Sequence, residues 1–153
     1  MDHKDVTGKT ILIVGLARSG CAAGAMLRQR GARVLGVDDS PENTLHERWR
    51  AEGLLDLAPR AFDEIACGGD WSFLDDAPPQ AVVLSPGVPR QHPQLRRLPA
   101  EVEVAGELEW AARFCRAPMV AVTGTNGKST TTELVAHLAR RAGLHAEALG
   151  NVG

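Results

Sequence analysis

Short apolar runs alternate with amphipathic segments along the chain, which predicts parallel strands joined by helices. Runs at 10–14, 33–37 and 81–85 are almost continuously apolar, as in strands buried on both faces of a sheet. A further run at 119–122 reads in the same way, and 145–149 is a candidate strand. The predicted helices cover 21–30, a segment starting at 40–42, a short stretch at 92–98, and 106–115 and 133–142. This β-α-β-α-β order predicts an α/β fold with a parallel sheet and helices on both faces.

Local signals mark where these elements begin and end. Gly31 stands where a helix would end with a C′ glycine, and Ser40 before Pro41 reads as the N-cap of the next helix. The pattern is weak from 53 to 79. Ala117-Pro118 reads as a joint, so we predict two domains, 1–116 and 117–153.

A glycine-rich loop, Gly124-Thr-Asn-Gly-Lys-Ser-Thr130, lies between an apolar run and a predicted helix. Glycines let backbone N–H groups turn toward an anion, and the helix start adds unpaired N–H groups and the positive end of the helix dipole. Lys128 would lie on the β- and γ-phosphates of a nucleotide, and the Ser129 hydroxyl would ligate Mg²⁺. Val122 occupies the first glycine position of the general P-loop pattern, so this loop is a variant. A simple strand-to-helix turn is the alternative.

The first predicted turn, Gly15-Leu-Ala-Arg-Ser-Gly20, is similar to a dinucleotide-binding pattern, and Asp38 follows near the usual position of the ribose-binding acid. Ala17 replaces the middle glycine, and its methyl group would obstruct a pyrophosphate. The turn therefore predicts either a ligand other than NAD or only a tight strand-to-helix connection. Gly87, in Ser85-Pro-Gly-Val88, ends another strand and could present its backbone to the same ligand.

Composition narrows the function further. The 153 residues carry a formal net charge of −2 and 4% aromatics, which argues against nucleic-acid binding and against attraction to anionic membranes. Cysteines 21, 67 and 115 are widely spaced, as unpaired cysteines of a reducing compartment are. The five histidines lack metal-ligand spacing. No signal peptide or membrane span is recognisable at the N-terminus, so we expect a cytoplasmic protein.

The motifs together resemble those of the Mur ligases of peptidoglycan synthesis, from about Lys9 to the last residue. Within that family, Ser129 and the first turn G-L-x-x-[ST]-G favour the enzymes that add D-glutamate. The motifs, in order, are the dinucleotide-like N-terminal pattern, S-P-G-V at 85–88, G-E-L-E at 106–109, T-G-T-N-G-K-S-T at 123–130 and G-N-V-G at 150–153.

This resemblance implies a role for each domain. Residues 1–116 would be a Rossmann-like domain that binds a UDP-sugar, and 117–153 would be the truncated beginning of a P-loop ATPase domain. The implied cofactors are ATP and Mg²⁺, with Lys128 as the catalytic residue and Ser129 as the metal ligand. The implied ATP-binding residues are Gly124, Thr125, Asn126, Gly127, Lys128, Ser129 and Thr130. The implied substrate-binding residues are Arg18, Ser19, Asp39, Ser40, Gly87 and Asn151.

The implied reaction is ATP-dependent amide formation between UDP-N-acetylmuramoyl-L-alanine and D-glutamate. We expect this chain to be an N-terminal fragment that is inactive alone, and the full-length enzyme to be a monomer without nucleic-acid partners or membrane insertion. Two alternatives stay open. The first is a nicotinamide-dependent oxidoreductase or NAD-sensing domain, and the second is a non-catalytic nucleotide-binding regulatory protein.

Overall fold

A computed structural model describes residues 5–74 and 77–150, in two compact units, Met1–Phe114 and Cys115–Gly153. The strands are β1 (Thr10–Val14), β2 (Arg33–Asp38), β3 (Glu64–Cys67), β4 (Ala81–Leu84) and β5 (Glu103–Gly106). The α-helices are α1 (Arg18–Gln29), α2 (Glu42–Ala51), α3 (Ala58–Ala61), α4 (Glu107–Phe114) and α5 (Lys128–Arg141). Two short 3₁₀ helices cover Ser72–Leu74 and Pro93–Arg97. No helix among the described residues combines the length and apolar composition that crossing a membrane requires.

The first unit is built on a five-stranded sheet in the order β3-β2-β1-β4-β5, with every pair parallel. This is the strand order of a Rossmann-type sheet. The central strand β1 is fully covered, because Ile11, Leu12 and Ile13 are each 0% exposed. The predicted Rossmann-like parallel-sheet fold is confirmed.

The two faces of the sheet are covered differently. One face packs against α-helices, through residues such as Leu27 of α1, Trp49 of α2 and Trp110 of α4. The other face packs against Trp71, Leu74 and the segments around the 3₁₀ helices. The prediction of helices on both faces is therefore correct for α-helices on one face only. Right-handed crossovers account for the two sets of covering segments. The connections β1–β2 and β2–β3 run toward one edge of the sheet and lie on one face. The connections that follow β3 and β4 run toward the opposite edge and lie on the other face.

The predicted end of α1 is confirmed, and the predicted start of α2 is wrong in detail. Gly31 has φ +82°, and the N–H groups of Gly31 and Ala32 donate to the carbonyls of Arg28 and Leu27, as in a Schellman motif. Pro41, not Ser40, is the N-cap of α2, with no side-chain capping bond.

The structure contains elements that the sequence pattern does not predict. Strand β3 has only four residues and lies at a sheet edge, where Glu64 and Ile65 are exposed, so it has no continuous apolar run. Strand β5 ends at Gly106 immediately before α4, which hides the boundary between them. Helix α3 is also only four residues long.

In the second unit, helix α5 is longer than predicted, because it begins at Lys128 and not at Glu133. The strands predicted at 119–122 and 145–149 are wrong, since both segments are irregular. Met119 and Val120 are 60% and 76% exposed. No strand among the described residues of this unit is available to supply ladder hydrogen bonds, and a single extended segment cannot form a sheet alone.

Candidate nucleotide-binding sites

The carboxyl end of the sheet has a crevice where the strand order reverses. The chain leaves β1 toward β2 but leaves β4 toward β5, so the two following loops diverge, and ligands of open α/β sheets bind at such a point. The base of this crevice is tightly fixed. Gly15 N–H donates to the carbonyl of Val37 at 2.8 Å, and the Ser85 hydroxyl donates to the carbonyl of Gly15 at 2.6 Å.

The glycines of the first turn are required by packing. Gly15 has φ +88°, which a side chain rarely adopts. A Cβ at Gly20 would lie 2.0 Å from the carbonyl oxygen of Gly15, so helix α1 can follow the turn this closely only with glycine there. Ala17 is the N-cap of α1 and forms no side-chain capping bond. These contacts explain the glycine pattern of the first turn without any ligand.

Asp38 is an internal structural carboxylate. One oxygen accepts hydrogen bonds from Leu16 N–H at 2.9 Å and from the Arg48 guanidinium at 3.3 Å, and the other accepts from Ser40 N–H at 3.0 Å. Burial raises the pKa of Asp38, but the hydrogen bonds from Leu16 and Ser40 and the charge of Arg48 outweigh it, so that the pKa lies below its usual value. Asp38 therefore connects the first turn, the end of β2 and helix α2.

The predicted substrate-binding residues follow three adjacent strands at the carboxyl edge of the sheet. Arg18 and Ser19 open α1 after β1, Asp39 and Ser40 follow β2, and Gly87 follows β4. Asn151 lies outside the described residues. The fold therefore brings the loops that carry the five described residues of this set to one edge of the sheet. Their role in binding stays a prediction.

Their individual environments differ. Arg18 is exposed and donates to the carbonyl of Glu52 at 3.4 Å, and Ser19 is half-buried. The Ser40 hydroxyl accepts a hydrogen bond from the Arg48 guanidinium at 2.9 Å and also interacts with the Asp38 carboxylate. Gly87 is exposed, and a Cβ there would meet no atom within 4 Å. An open backbone at Gly87 fits the predicted approach of a ligand.

Sequence reasoning missed three residues beside this edge: Arg48, Trp71 and His92. Arg48 bonds both Asp38 and Ser40, while the ring nitrogens of Trp71 and His92 lie at hydrogen-bond distance from Asp39. They come from separate segments of the chain, so no local motif contains them. For Trp71 and His92 the sequence offered one general indication, the residue types themselves. Indole and imidazole rings are often largely buried, and their ring nitrogens then need polar partners.

The glycine-rich loop of the second unit has the features of a phosphate cradle. Gly127, with φ +75°, is the N-cap of α5 and forms no side-chain capping bond. Lys128 folds back so that its ammonium donates to the carbonyls of Gly124 at 2.5 Å and Thr125 at 3.2 Å. The ammonium and the uncapped first turn therefore lie beside the same loop, and Ser129 is exposed within that turn. A phosphate group fits this charge and these donors.

The metal environment is less complete. Among the described residues, no group of three or more His, Cys, Asp or Glu side chains is arranged to hold a metal ion. Mg²⁺ at a nucleotide site usually takes phosphate oxygens and waters together with only one or two protein ligands. The exposed Ser129 hydroxyl fits the role of one such ligand.

Comparison with curated proteins gives consistent matches along almost the whole chain. A UDP-N-acetylmuramoylalanine–D-glutamate ligase from Trichlorobacter lovleyi is 42% identical over 146 residues, which are 95% of this chain and 31% of that protein. Ligases of the same name from Caldicellulosiruptor bescii and Protochlamydia amoebophila are 39% and 36% identical and match 97% and 100% of this chain. The chain spans about a third of the length of these relatives, 32% and 33% for the latter two.

The other comparisons add little. No protein-family model matches the chain. Among solved structures, prephenate dehydrogenase from A. aeolicus in complex with hydroxyphenyl propionate and NAD⁺ has a TM-score of 0.44 and 22% identity, over 67% of this chain and 34% of that chain. A similarity this low supports no conclusion about function.

Proposed function

We propose that this chain, which is homologous to the N-terminal portion of the UDP-N-acetylmuramoylalanine–D-glutamate ligases of the Mur family, provides the nucleotide-binding part of such a ligase. The observation that carries the proposal is 36–42% identity across nearly the whole chain. The separate phosphate-loop and crevice geometries support it. The alternative of nicotinamide chemistry has no comparable observation in its favour.

The first unit is proposed to bind UDP-N-acetylmuramoyl-L-alanine. The crevice after β1 and β4 is the expected position, and Ala17 puts a methyl group where a dinucleotide pyrophosphate would approach the backbone. Ser40 and Gly87 offer a hydroxyl and an open backbone at the same edge of the sheet. Asn151 is proposed to reach the same substrate.

The glycine-rich loop is proposed to bind ATP. The first-turn N–H groups of α5 would cradle the phosphates, and Lys128 would exchange its contacts with the Gly124 and Thr125 carbonyls for contacts with phosphate oxygens. Ser129 would be a ligand of Mg²⁺, which screens phosphate charge when bound.

The proposed chemistry is transfer of a phosphoryl group to the substrate carboxylate, followed by attack of the D-glutamate amine on the acyl phosphate. A phosphoryl transfer needs positioning and charge neutralisation more than a protein nucleophile. Lys128 would supply a positive charge at the transferred group once its ammonium leaves the Gly124 and Thr125 carbonyls. The amine of D-glutamate needs a site of its own, which the described residues do not identify.

Calorimetric titration of the chain tests the substrate assignment. We expect UDP-N-acetylmuramoyl-L-alanine to bind and NADH to bind more weakly or not at all. Tighter binding of NADH would overturn the proposal in favour of the nicotinamide alternative. A Ser129→Ala variant of the longer ligase is expected to regain part of its lost activity when the Mg²⁺ concentration is raised.

A further inference from the structure

The segment that follows β4, residues 85–92 (the strap), crosses the carboxyl edge of the sheet. Its first residue, Ser85, continues from β4 and donates a hydrogen bond to the carbonyl of Gly15, directly after β1. Its last residue, His92, has Nε2 2.9 Å from the carboxylate of Asp39, directly after β2. Because the strands lie in the order β2-β1-β4, the strap crosses the end of β1, which lies between the other two.

Val88 is the side chain of the strap that lies against the first turn. A Cβ built on Gly15 would be 2.9 Å from the Cγ2 methyl carbon of Val88 and 3.0 Å from the Cβ of Ser85. Val88 is half-buried and also packs against the apolar cluster that includes Val14 and Val37. The space directly against the backbone of Gly15 is therefore filled by a methyl group.

The strap holds this side chain in a fixed place. One tight turn is closed by a hydrogen bond from Val88 N–H to the Ser85 carbonyl at 2.9 Å. A second is closed by a bond from His92 N–H to the Pro89 carbonyl at 3.0 Å, and the proline ring restricts the backbone there. The His92 ring also stacks on Trp71, with centroids 5.0 Å apart. Moving the strap aside for a ligand would break these contacts.

The position of Val88 matters because of how dinucleotides bind Rossmann-type sheets. The fold has two mononucleotide-binding halves, a dinucleotide lies across the crevice between them, and its pyrophosphate approaches the backbone of the first turn. In this chain a Val88 methyl group fills that approach and offers no hydrogen-bond donor. A pyrophosphate placed against it would lose hydration without compensation. A ligand with a single nucleoside can instead stay on one side of the strap.

We propose that Val88 is a specificity-determining residue that excludes dinucleotides such as NADH, because it closes the passage between the two halves of the sheet edge. This inference goes beyond the proposed function, since it concerns the ligands that the crevice rejects. Ala17 adds a second methyl group to the same turn, but the strap blocks the passage even with glycine at that position.

Calorimetric titration of the whole chain with NADH tests this role. Val88→Ala should bind NADH at least about tenfold more tightly than the unaltered chain, since one methylene-sized group in a pocket changes ligand discrimination by about 10–200-fold. Ala17→Gly alone should gain little, because Val88 still fills the passage. The double variant, with both changes, should bind NADH most tightly.

Val102→Ala is the matched control. Val102 is also half-buried and packs against the same apolar cluster, but it directly precedes β5 and so lies at the amino edge of the sheet. This variant loses the same two methyl groups away from the crevice and should bind NADH as weakly as the unaltered chain. Thermal denaturation checks that each variant is folded. Should Val88→Ala unfold, Val88→Ser takes its place, since it also removes both methyl groups.

The outcomes separate this inference from the proposed function. A gain in NADH affinity confined to the Val88 variants supports the inference, even if the chain does not bind UDP-N-acetylmuramoyl-L-alanine, the result that would defeat the proposed function. No gain in the folded Val88 variants, or an equal gain in Val102→Ala, would overturn it. A full gain in Ala17→Gly alone would also overturn it, because the barrier would then be Ala17. Binding of NADH by the unaltered chain as tight as by Val88→Ala would do the same.

Discussion

Replacing Asp38 by asparagine is expected to destabilise the first unit by about 2–4 kcal/mol. The carboxylate accepts from Leu16 and Arg48 on one oxygen and from Ser40 on the other, at 2.9–3.3 Å. An asparagine keeps only one oxygen, so its NH₂ group must face a donor whichever way the amide is turned. A hydrogen bond to a charged group contributes roughly 1.5–3 kcal/mol, and a buried donor left unpaired costs about 1–3 kcal/mol.

Thermal denaturation followed by circular dichroism measures this effect. One kcal/mol corresponds to about 4–8 °C for a domain near this size, so Asp38→Asn should lower Tm by at least about 8 °C. Asp56→Asn is the matched control, because Asp56 is exposed and its variant should change stability by no more than about 0.5 kcal/mol. Equal Tm values for the two variants would refute the structural role of Asp38.

The effect should also depend on pH in a defined direction. Burial raises the pKa of Asp38. Its hydrogen bonds with Leu16 and Ser40 and the charge of Arg48 lower the pKa by more than burial raises it, so the net pKa lies below the usual value. A group with a lowered folded-state pKa stabilises above the ordinary aspartate pKa of about 3.9, and this contribution is lost as pH falls through the folded-state pKa. The difference between the unaltered chain and Asp38→Asn should therefore be constant above about pH 5 and shrink below about pH 4. A difference that does not shrink would contradict this.

Three further predictions concern the first turn, the glycine-rich loop and the segment after Pro118. Gly20→Ala should destabilise the first unit by about 3 kcal/mol, since its Cβ would lie 2.0 Å from a backbone oxygen. Gly106→Ala is the control, because a Cβ there would meet no atom within 4 Å, and it should be nearly neutral in the same denaturation assay. In the longer ligase, Lys128→Ala should lower turnover, measured as ADP release, by about 10²-fold or more, and normal activity would refute the assigned role. By hydrogen exchange, amides after Pro118 should exchange faster than those of β1, and equal protection would contradict the weak support of that segment.

The strands of the sheet centre could be predicted because burial on both faces leaves a direct trace in the sequence. The central residues of Thr10–Val14 and Arg33–Asp38, and all of Ala81–Leu84, form apolar runs, since neither face of these stretches meets water. The edge strand Glu64–Cys67 is partly exposed and has no such trace. The run at 119–122 is equally apolar but does not form a strand, because pairing depends on a neighbour that local sequence does not reveal.

The candidate sites show a similar contrast between residues that are adjacent in sequence and residues that only the fold brings together. The proposed phosphate loop is contiguous, so Gly127 and Lys128 could be named as candidates from sequence, and the structure shows an uncapped helix start with an adjacent ammonium there. The contacts of Trp71 and His92 with Asp39 join residues 32 and 53 positions apart, and only the fold brings them together.

The central claim, that the chain is part of a D-glutamate-adding ligase, is tested most directly by ADP release from the longer protein. The account predicts ADP release that requires both UDP-N-acetylmuramoyl-L-alanine and D-glutamate. The 153-residue chain alone is expected to show none. ADP release by the longer protein that is independent of either substrate, or its absence with both present, would contradict the claim. Turnover by this chain alone would contradict its description as a portion of the ligase.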